Sequence, residues 1–189
     1  MKYSKVIFVG DSRTAGMKAT LNKQVSSSVT SNVSFIAKAG QGLSWFQSTG
    51  YTQLINEINK TKGSKPIAVV FNLGINDMAN ISNYISYMSD IASKLFYMSV
   101  NPINSVMITK AGKGARTEAQ VREFNSKIHS GLSLNYKYID TYSVLMKKGY
   151  GTNSSYSGTD AASDDGLHYT TKTFKRIYYY CITYLNTGS

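Results

Sequence analysis

Apolar residues along the chain fall into two alternating rhythms. Val6 to Val9, Val33 to Ala37, Ile67 to Leu73, Ser105 to Thr109 and Tyr136 to Ile139 are short, almost unbroken apolar runs. Runs of this length suit strands buried on both faces, as in a parallel sheet. Between them apolar residues recur three and four positions apart. Leu54, Ile55 and Ile58 form one such stripe, and Ile81, Ile85, Met88, Ala92 and Leu95 a longer one. Val121, Phe124, Ile128 and Leu132 make a third, and Phe174, Ile177, Tyr178, Cys181 and Leu185 the last. That spacing lays a single stripe along a helix. Thr117 to Gln120, reading TEAQ, predicts a capping box at the start of the third. The alternation predicts a three-layer α/β/α sandwich with a central five-stranded parallel sheet and right-handed crossovers. No break in composition and no internal repeat divides the chain, so one domain is expected over residues 1–189. A loop rich in Ser, Thr, Gly and Asn, Gly149 to Ser163, precedes the last helix.

Composition narrows the partners. The net charge is +11, from 21 basic and 10 acidic side chains among 189 residues. The lysines are scattered (Lys18, Lys23, Lys38, Lys60, Lys62, Lys110, Lys113, Lys147 and Lys148 among them), and no block of like charge forms a tail. Zinc-finger spacing and RRM-type aromatic motifs are absent, so nucleic acid is not an expected partner. A diffuse attraction to acidic polysaccharide fits the charge better. The lone cysteine, Cys181, allows no internal disulfide and no cysteine-rich metal site, and its place on the last stripe makes it a core residue. No apolar window of about 18 residues exists to span a membrane. Met1 and Lys2 run directly into the first strand without a visible leader, which suits a native start or a trimmed one.

In an open α/β sheet ligands bind at the carboxyl ends of the strands. Strand one is followed by Gly10-Asp11-Ser12, strand two by KAGQGLSWF (residues 38–46), and strand three by GIND (Gly74 to Asp77). The fourth expected strand leads into KAGKGAR (residues 110–116), and SDDGLHYT (Ser163 to Thr170) precedes the last helix. Four of these five segments carry residues suited to chemistry.

Those four blocks, in this order and spanning nearly the whole chain, resemble the SGNH hydrolase (GDSL esterase) superfamily, a flavodoxin-like three-layer fold. They are Gly10-Asp11-Ser12, the glycine loop Gly40-Gln41-Gly42, Gly74-x-Asn76-Asp77 and Asp165-x-x-His168. The family's nominal Gly-Asp-Ser-Leu is Gly-Asp-Ser-Arg13 here, which turns attention to Arg13 as a substrate contact. The resemblance implies Ser12 as nucleophile, His168 as general base and Asp165 as the group that orients the imidazole. The residue types fit: a serine hydroxyl needs a base, and imidazole titrates near neutrality. It also implies an oxyanion hole from the backbone N–H of Ser12, the backbone N–H of a loop glycine and the side chain of Asn76. Gly42 is favoured because Gly-x-Ser (Gly42, Leu43, Ser44) resembles the family's pattern, with Gly40 as the alternative. Asp164 competes with Asp165 and loses on spacing.

Other residues read more plainly. Asp11 is a helix cap or a brace for the serine loop. Asp77 is expected to brace its loop. His129 lies off its helix's apolar stripe, among Glu118, Arg122 and Asn125, and reads as a surface residue. Trp45 and Phe46 suit either a sugar- or acyl-contacting wall or helix packing. Tyr142, Tyr150, Tyr156 and Tyr169 lie near the final loops and suit a carbohydrate surface.

The expected function is hydrolysis of a short acyl ester, acetyl above all, carried on a small molecule or a glycan. It would use a Ser-His-Asp triad with no metal and no organic cofactor. Lack of a long apolar lid argues against a large lipid. A glycan of wall, capsule or plant fibre would lean toward an extracellular or envelope setting. The same triad could instead pass an acetyl group to a sugar hydroxyl. A third reading keeps the fold as a phosphate- or flavin-binding module with Ser12 and Thr14 as ligands.

Overall fold

In the computed structural model, residues 2–61, 63–88, 94–132, 136–148 and 165–188 are described. The Gly149 to Ser163 loop, Asp164, Tyr150, Tyr156, Ala92 and Lys62 lie outside them. The chain runs β1 (Lys5–Gly10), α1 (Ser12–Gln24), α2 (Ser27–Thr30), β2 (Val33–Ala37) and α3 (Leu43–Trp45). One π-helical turn, Phe46–Gly50, continues α3 into α4 (Tyr51–Lys60). Next come β3 (Ile67–Asn72), a 3-10 turn (Met78–Asn80), α5 (Ile81–Met88), β4 (Lys94–Met98) and α6 (Ser105–Lys110). The rest is α7 (Glu118–Gly131), β5 (Tyr136–Ile139), α8 (Thr141–Met146) and α9 (Thr171–Thr187).

The five strands form one parallel sheet in the order β2-β1-β3-β4-β5. This is the flavodoxin-like order, with its crevice where the chain reverses direction between β1 and β3. Alternate side chains go to opposite faces because a strand repeats every two residues. Ile7, Val9, Val69, Phe71, Leu95 and Tyr97 pack with Leu54, Tyr84, Val121, Phe124 and Ile128 from α4, α5 and α7. Val6, Phe8, Ala68, Val70, Phe96 and Met98 pack on the other side with Met17 and Leu21 of α1 and Phe174, Ile177 and Cys181 of α9. Each fully buried side chain of this kind contributes about 1.5–3 kcal/mol. The helices α3, α4, α5 and α7 therefore cover one face and α1 and α9 the other, which is the three-layer sandwich.

The fourth strand is not where the apolar runs put it. Ser105 to Thr109 is helical, α6, with Asn104 capping it by accepting the Met107 N–H at 3.1 Å. Only Ile108 of that helix is buried, and Val106 is 49% exposed. The strand is Lys94–Met98, so Leu95 belongs to the sheet and not to the preceding helical stripe, whose described helix is Ile81–Met88. The expected capping box is present: Thr117 Oγ1 accepts the Gln120 N–H, and Gln120 Oε1 accepts the Thr117 N–H.

Candidate active site

Parallel strands deliver their following residues to one edge, and the blocks singled out in the sequence meet there. At the end of β1, Asp11 is the N-cap of α1, accepting the Arg13 N–H at 2.9 Å. Ser12 is thus the first helical residue, where backbone N–H groups have no intrahelical acceptor and the helix dipole favours negative charge. Asp11 is 1% exposed, and burial pushes its carboxyl up to about 6, against the opposing pull of the Arg13 N–H, the Arg13 charge and His168.

The turn before α9 is built on Asp165. Its Oδ1 accepts the N–H groups of Leu167 and His168, both at 2.9 Å. That fixes the carboxylate and leaves Oδ2 for the imidazole, whose Nδ1 lies 2.6 Å away. Gly166 has φ +67, and a Cβ there would sit 2.6 Å from the Asn104 carbonyl oxygen, so the turn takes glycine alone. The other ring nitrogen, His168 Nε2, lies 2.9 Å from Ser12 Oγ. With its proton on Nδ1 the ring donates to Asp165 and accepts from the Ser12 hydroxyl, so one tautomer serves both contacts. The His168 and Asp165 side chains are 32% and 20% exposed, within reach of a substrate.

Two further loops face each other. The Asn76 amide donates from Nδ2 to the Gln41 carbonyl at 2.8 Å, which joins GIND to the glycine loop. Asp77 does the same from its side: Oδ2 accepts the Leu43 N–H at 2.8 Å, and Oδ1 accepts the Tyr84 hydroxyl at 2.6 Å. The two loop glycines have different tasks. Gly40 has φ +72 with open space around it, so it serves the turn. Gly42 has φ −138, open to any residue, but a Cβ would meet the Asp77 carboxylate at 2.3 Å. Close approach, not backbone freedom, requires glycine at 42.

Arg116 was not singled out as a site residue. Its Nη2 donates to Asn76 Oδ1 at 3.3 Å and its Nε to the Ile75 carbonyl at 3.0 Å, while Nη1 donates to the Lys113 carbonyl. The Asn76 amide is thereby held at both ends. Its one sequence signal is its position at the close of KAGKGAR, a loop that follows α6 and not the expected fourth strand.

Other expected site residues go elsewhere. Arg13 does not face a substrate. It is 3% exposed, and its guanidinium donates to the carbonyls of Leu167 (2.8 Å), Asn101 (2.8 Å) and Pro102 (3.2 Å), stacked over Tyr169 at 5.1 Å. Trp45 and Phe46 are buried in the core between the sheet and α4, which is the packing alternative. Tyr169 is buried with its hydroxyl on Pro102, and Tyr142 is half-buried with its hydroxyl on Glu118, so neither offers a sugar platform. Thr14 is fully buried with its Oγ1 against Gly10, closed to a phosphate. His129 is exposed and stacks on Tyr138 at 4.4 Å. Among the described residues no group of three His, Cys, Asp or Glu is placed to hold a metal ion, and no helix is long and apolar enough to cross a membrane.

No family model matches the chain, and no curated protein matches it by sequence. Solved structures do match. A Streptococcus pneumoniae protein provisionally described as a platelet activating factor aligns with TM-score 0.69 at 13% identity, over 97% of this chain and 84% of that one. The C-terminal catalytic domain of peptidoglycan O-acetyltransferase A (OatA) from S. pneumoniae, solved with a methylsulfonyl adduct, aligns with TM-score 0.65 at 15% identity, over 99% of this chain and 95% of that one. At such identities the likeness establishes that this chain has their three-layer α/β/α fold.

Proposed function

We propose that residues 1–189 form a single SGNH-type serine esterase domain that hydrolyses short acyl esters, acetyl esters of carbohydrates above all. The observation that carries this reading is the continuous relay Ser12 Oγ, His168 Nε2, His168 Nδ1, Asp165 Oδ2, with contacts of 2.9 and 2.6 Å. Ser12 Oγ attacks the ester carbonyl as His168 takes its proton. Asp165 holds the ring and stabilises the imidazolium. The oxyanion of the tetrahedral intermediate is met by the Ser12 N–H at the head of α1, by the Gly42 N–H and by Asn76 Nδ2. His168 then protonates the leaving alcohol, and the acyl-enzyme is released by water that His168 activates in turn. Arg116 orients the Asn76 amide for this task and touches no reacting atom. The reaction needs no metal or organic cofactor.

Release of p-nitrophenol from the acetate, butyrate and octanoate esters tests the reading beside Ser12→Ala. Turnover of the acetate, lost in a folded Ser12→Ala protein, is the expected result. Wild-type turnover in that variant would remove Ser12 as nucleophile. A second reading, acyl transfer to a sugar hydroxyl by the same three residues, draws support from the likeness to an O-acetyltransferase catalytic domain. Partition of the acetyl group between water and an added saccharide separates the two.

A further inference from the structure

The segments proposed to supply Gly42 and Asn76 do not stop at the oxyanion site. Each runs on to form one wall of a groove of about 320 Å³. Leu43, Ser44 and Gln47 follow Gly42 and make one wall; Asn80, Asn83, Ser86 and Tyr87 follow Asn76 and Asp77 and make the other. The walls are fastened at the near end by the Leu43 N–H to Asp77 bond and the Asn76 to Gln41 bond. Ser44, Gln47, Asn80, Asn83 and Ser86 are exposed. Tyr87 is half-buried, with its ring packed edge-on against Phe46 (6.0 Å) and Tyr51 (6.4 Å).

The chemistry of this lining is unusual for the molecule. The chain carries 21 basic and 10 acidic side chains, yet none of the described residues lining the groove is charged. It offers three amides (Gln47, Asn80, Asn83), three hydroxyls (Ser44, Ser86, Tyr87) and one braced aromatic ring. Amides both donate and accept, as do hydroxyls, which matches a ligand whose own groups are hydroxyls that do the same. A tyrosine ring held by neighbours gives the apolar face of such a ligand a surface at little entropic cost. An acidic ligand would find no cation among these described lining residues, and a long acyl chain would leave their polar groups without partners.

We propose that this groove is the subsite for the sugar portion of the substrate, and that it takes a neutral oligosaccharide carrying the ester. The inference rests on the esterase reading of Ser12 and names the alcohol half of its substrate. The general attraction of the basic surface to acidic polymer is a separate matter: the groove reads hydroxyls, not charge.

The test uses Gln47→Ala and Asn83→Ala, one exposed residue from each wall, and Tyr87→Phe, which keeps the packed ring. Binding of unesterified xylohexaose and of hexameric N-acetylglucosamine to the Ser12→Ala protein is measured by calorimetry, so that binding does not depend on turnover. At least one of the two is expected to bind, with affinity unchanged by salt, because neutral contacts are not screened. Each wall substitution should weaken it about fivefold, the scale of one neutral hydrogen bond. The same substitutions in the chain with Ser12 intact should leave p-nitrophenyl acetate turnover within about twofold, since that ester has no sugar and the loss of a remote uniform contact does not touch the chemical step. Failure of both saccharides to bind overturns the subsite, as does binding indifferent to all three substitutions. Binding that collapses as salt is raised also overturns it, in favour of an acidic polymer on the lysines. A chain that binds saccharide in the groove but turns over no ester keeps the subsite and fails the esterase reading.

Discussion

The Arg13 guanidinium donates from Nε to the Leu167 carbonyl at 2.8 Å, tying the neighbour of Ser12 to the neighbour of His168. Two residues that must meet at 2.9 Å are thus held by a strut between the residues beside them. Its other two bonds reach the Asn101 and Pro102 carbonyls beyond β4, so one side chain ties α1 to two loops. Arg13→Met takes this donor from the Leu167 and Asn101 carbonyls, while Pro102 keeps the Tyr169 hydroxyl, at a cost of about 1–3 kcal/mol for each group left unsatisfied. Expected are a lower urea midpoint and a kcat that falls more than the stability loss explains. Arg13→Lys should restore part of the stability and little of the kcat, because one ammonium cannot reproduce a planar fork.

On the proposed reading Arg116 acts on the reaction only through Asn76. Asn76→Ala should lower kcat about 10²–10³-fold on p-nitrophenyl acetate, the usual worth of an oxyanion donor. Arg116→Ala should lower it about tenfold with KM little changed. In the Asn76→Ala background the same substitution should do nothing more, since the amide it orients is gone. Additive losses would assign Arg116 an independent role.

Gly40 and Gly42 should respond oppositely to alanine. Gly42→Ala drives a Cβ into the Asp77 carboxylate, displacing both the Leu43 N–H and the loop proposed to receive the oxyanion. Loss of nearly all turnover is expected. Gly40→Ala meets no atom within 4 Å and should cost only the conformational penalty of a positive φ, about 1–2 kcal/mol, visible as a lower Tm with turnover largely kept.

Asp11 makes stability depend on pH. Its folded-state pKa of about 6 stands above the 3.8 of an unperturbed aspartate, so the folded chain holds that proton more tightly than the unfolded chain does. Between those values stability falls as pH rises. The penalty is absent below about 4 and full above about 6, on the order of 3 kcal/mol. Asp11→Asn, which still caps a helix, should flatten that segment of the stability curve. Urea midpoints of both proteins at pH 4, 5, 6 and 7 measure it.

Much of this architecture is legible in local pattern. Gly10-Asp11-Ser12 closes β1 and Asp165-x-x-His168 opens the turn into α9, both as short-range motifs, and α7 announces itself through Thr117 and Gln120. The fourth strand was hidden by periodicity. Ile81, Ile85, Met88, Ala92 and Leu95 keep helical spacing across a helix end and into β4, while Ser105 to Thr109 has a strand's composition and forms a capped turn and a half of helix. Short apolar runs carry both meanings, and tertiary packing decides between them. Arg13 failed for a different reason. An arginine after a serine reads as exposed, and its burial depends on three carbonyls 88, 89 and 154 residues away. Arg116 likewise depends on an amide 40 residues distant. Long-range polar partners leave no trace in spacing.

The separation of Ser12 and His168 by 156 residues has a consequence for synthesis. Ser12 is translated well ahead of the imidazole it meets. At about 5–20 residues per second the ribosome takes many seconds between them. Through that interval β1 and the serine turn exist without the imidazole that would arm them. The Ser12–His168 contact therefore forms late and at once, when the Asp165 turn docks and the Arg13 strut closes, and on the proposed reading a nascent chain halted before residue 165 turns over no ester.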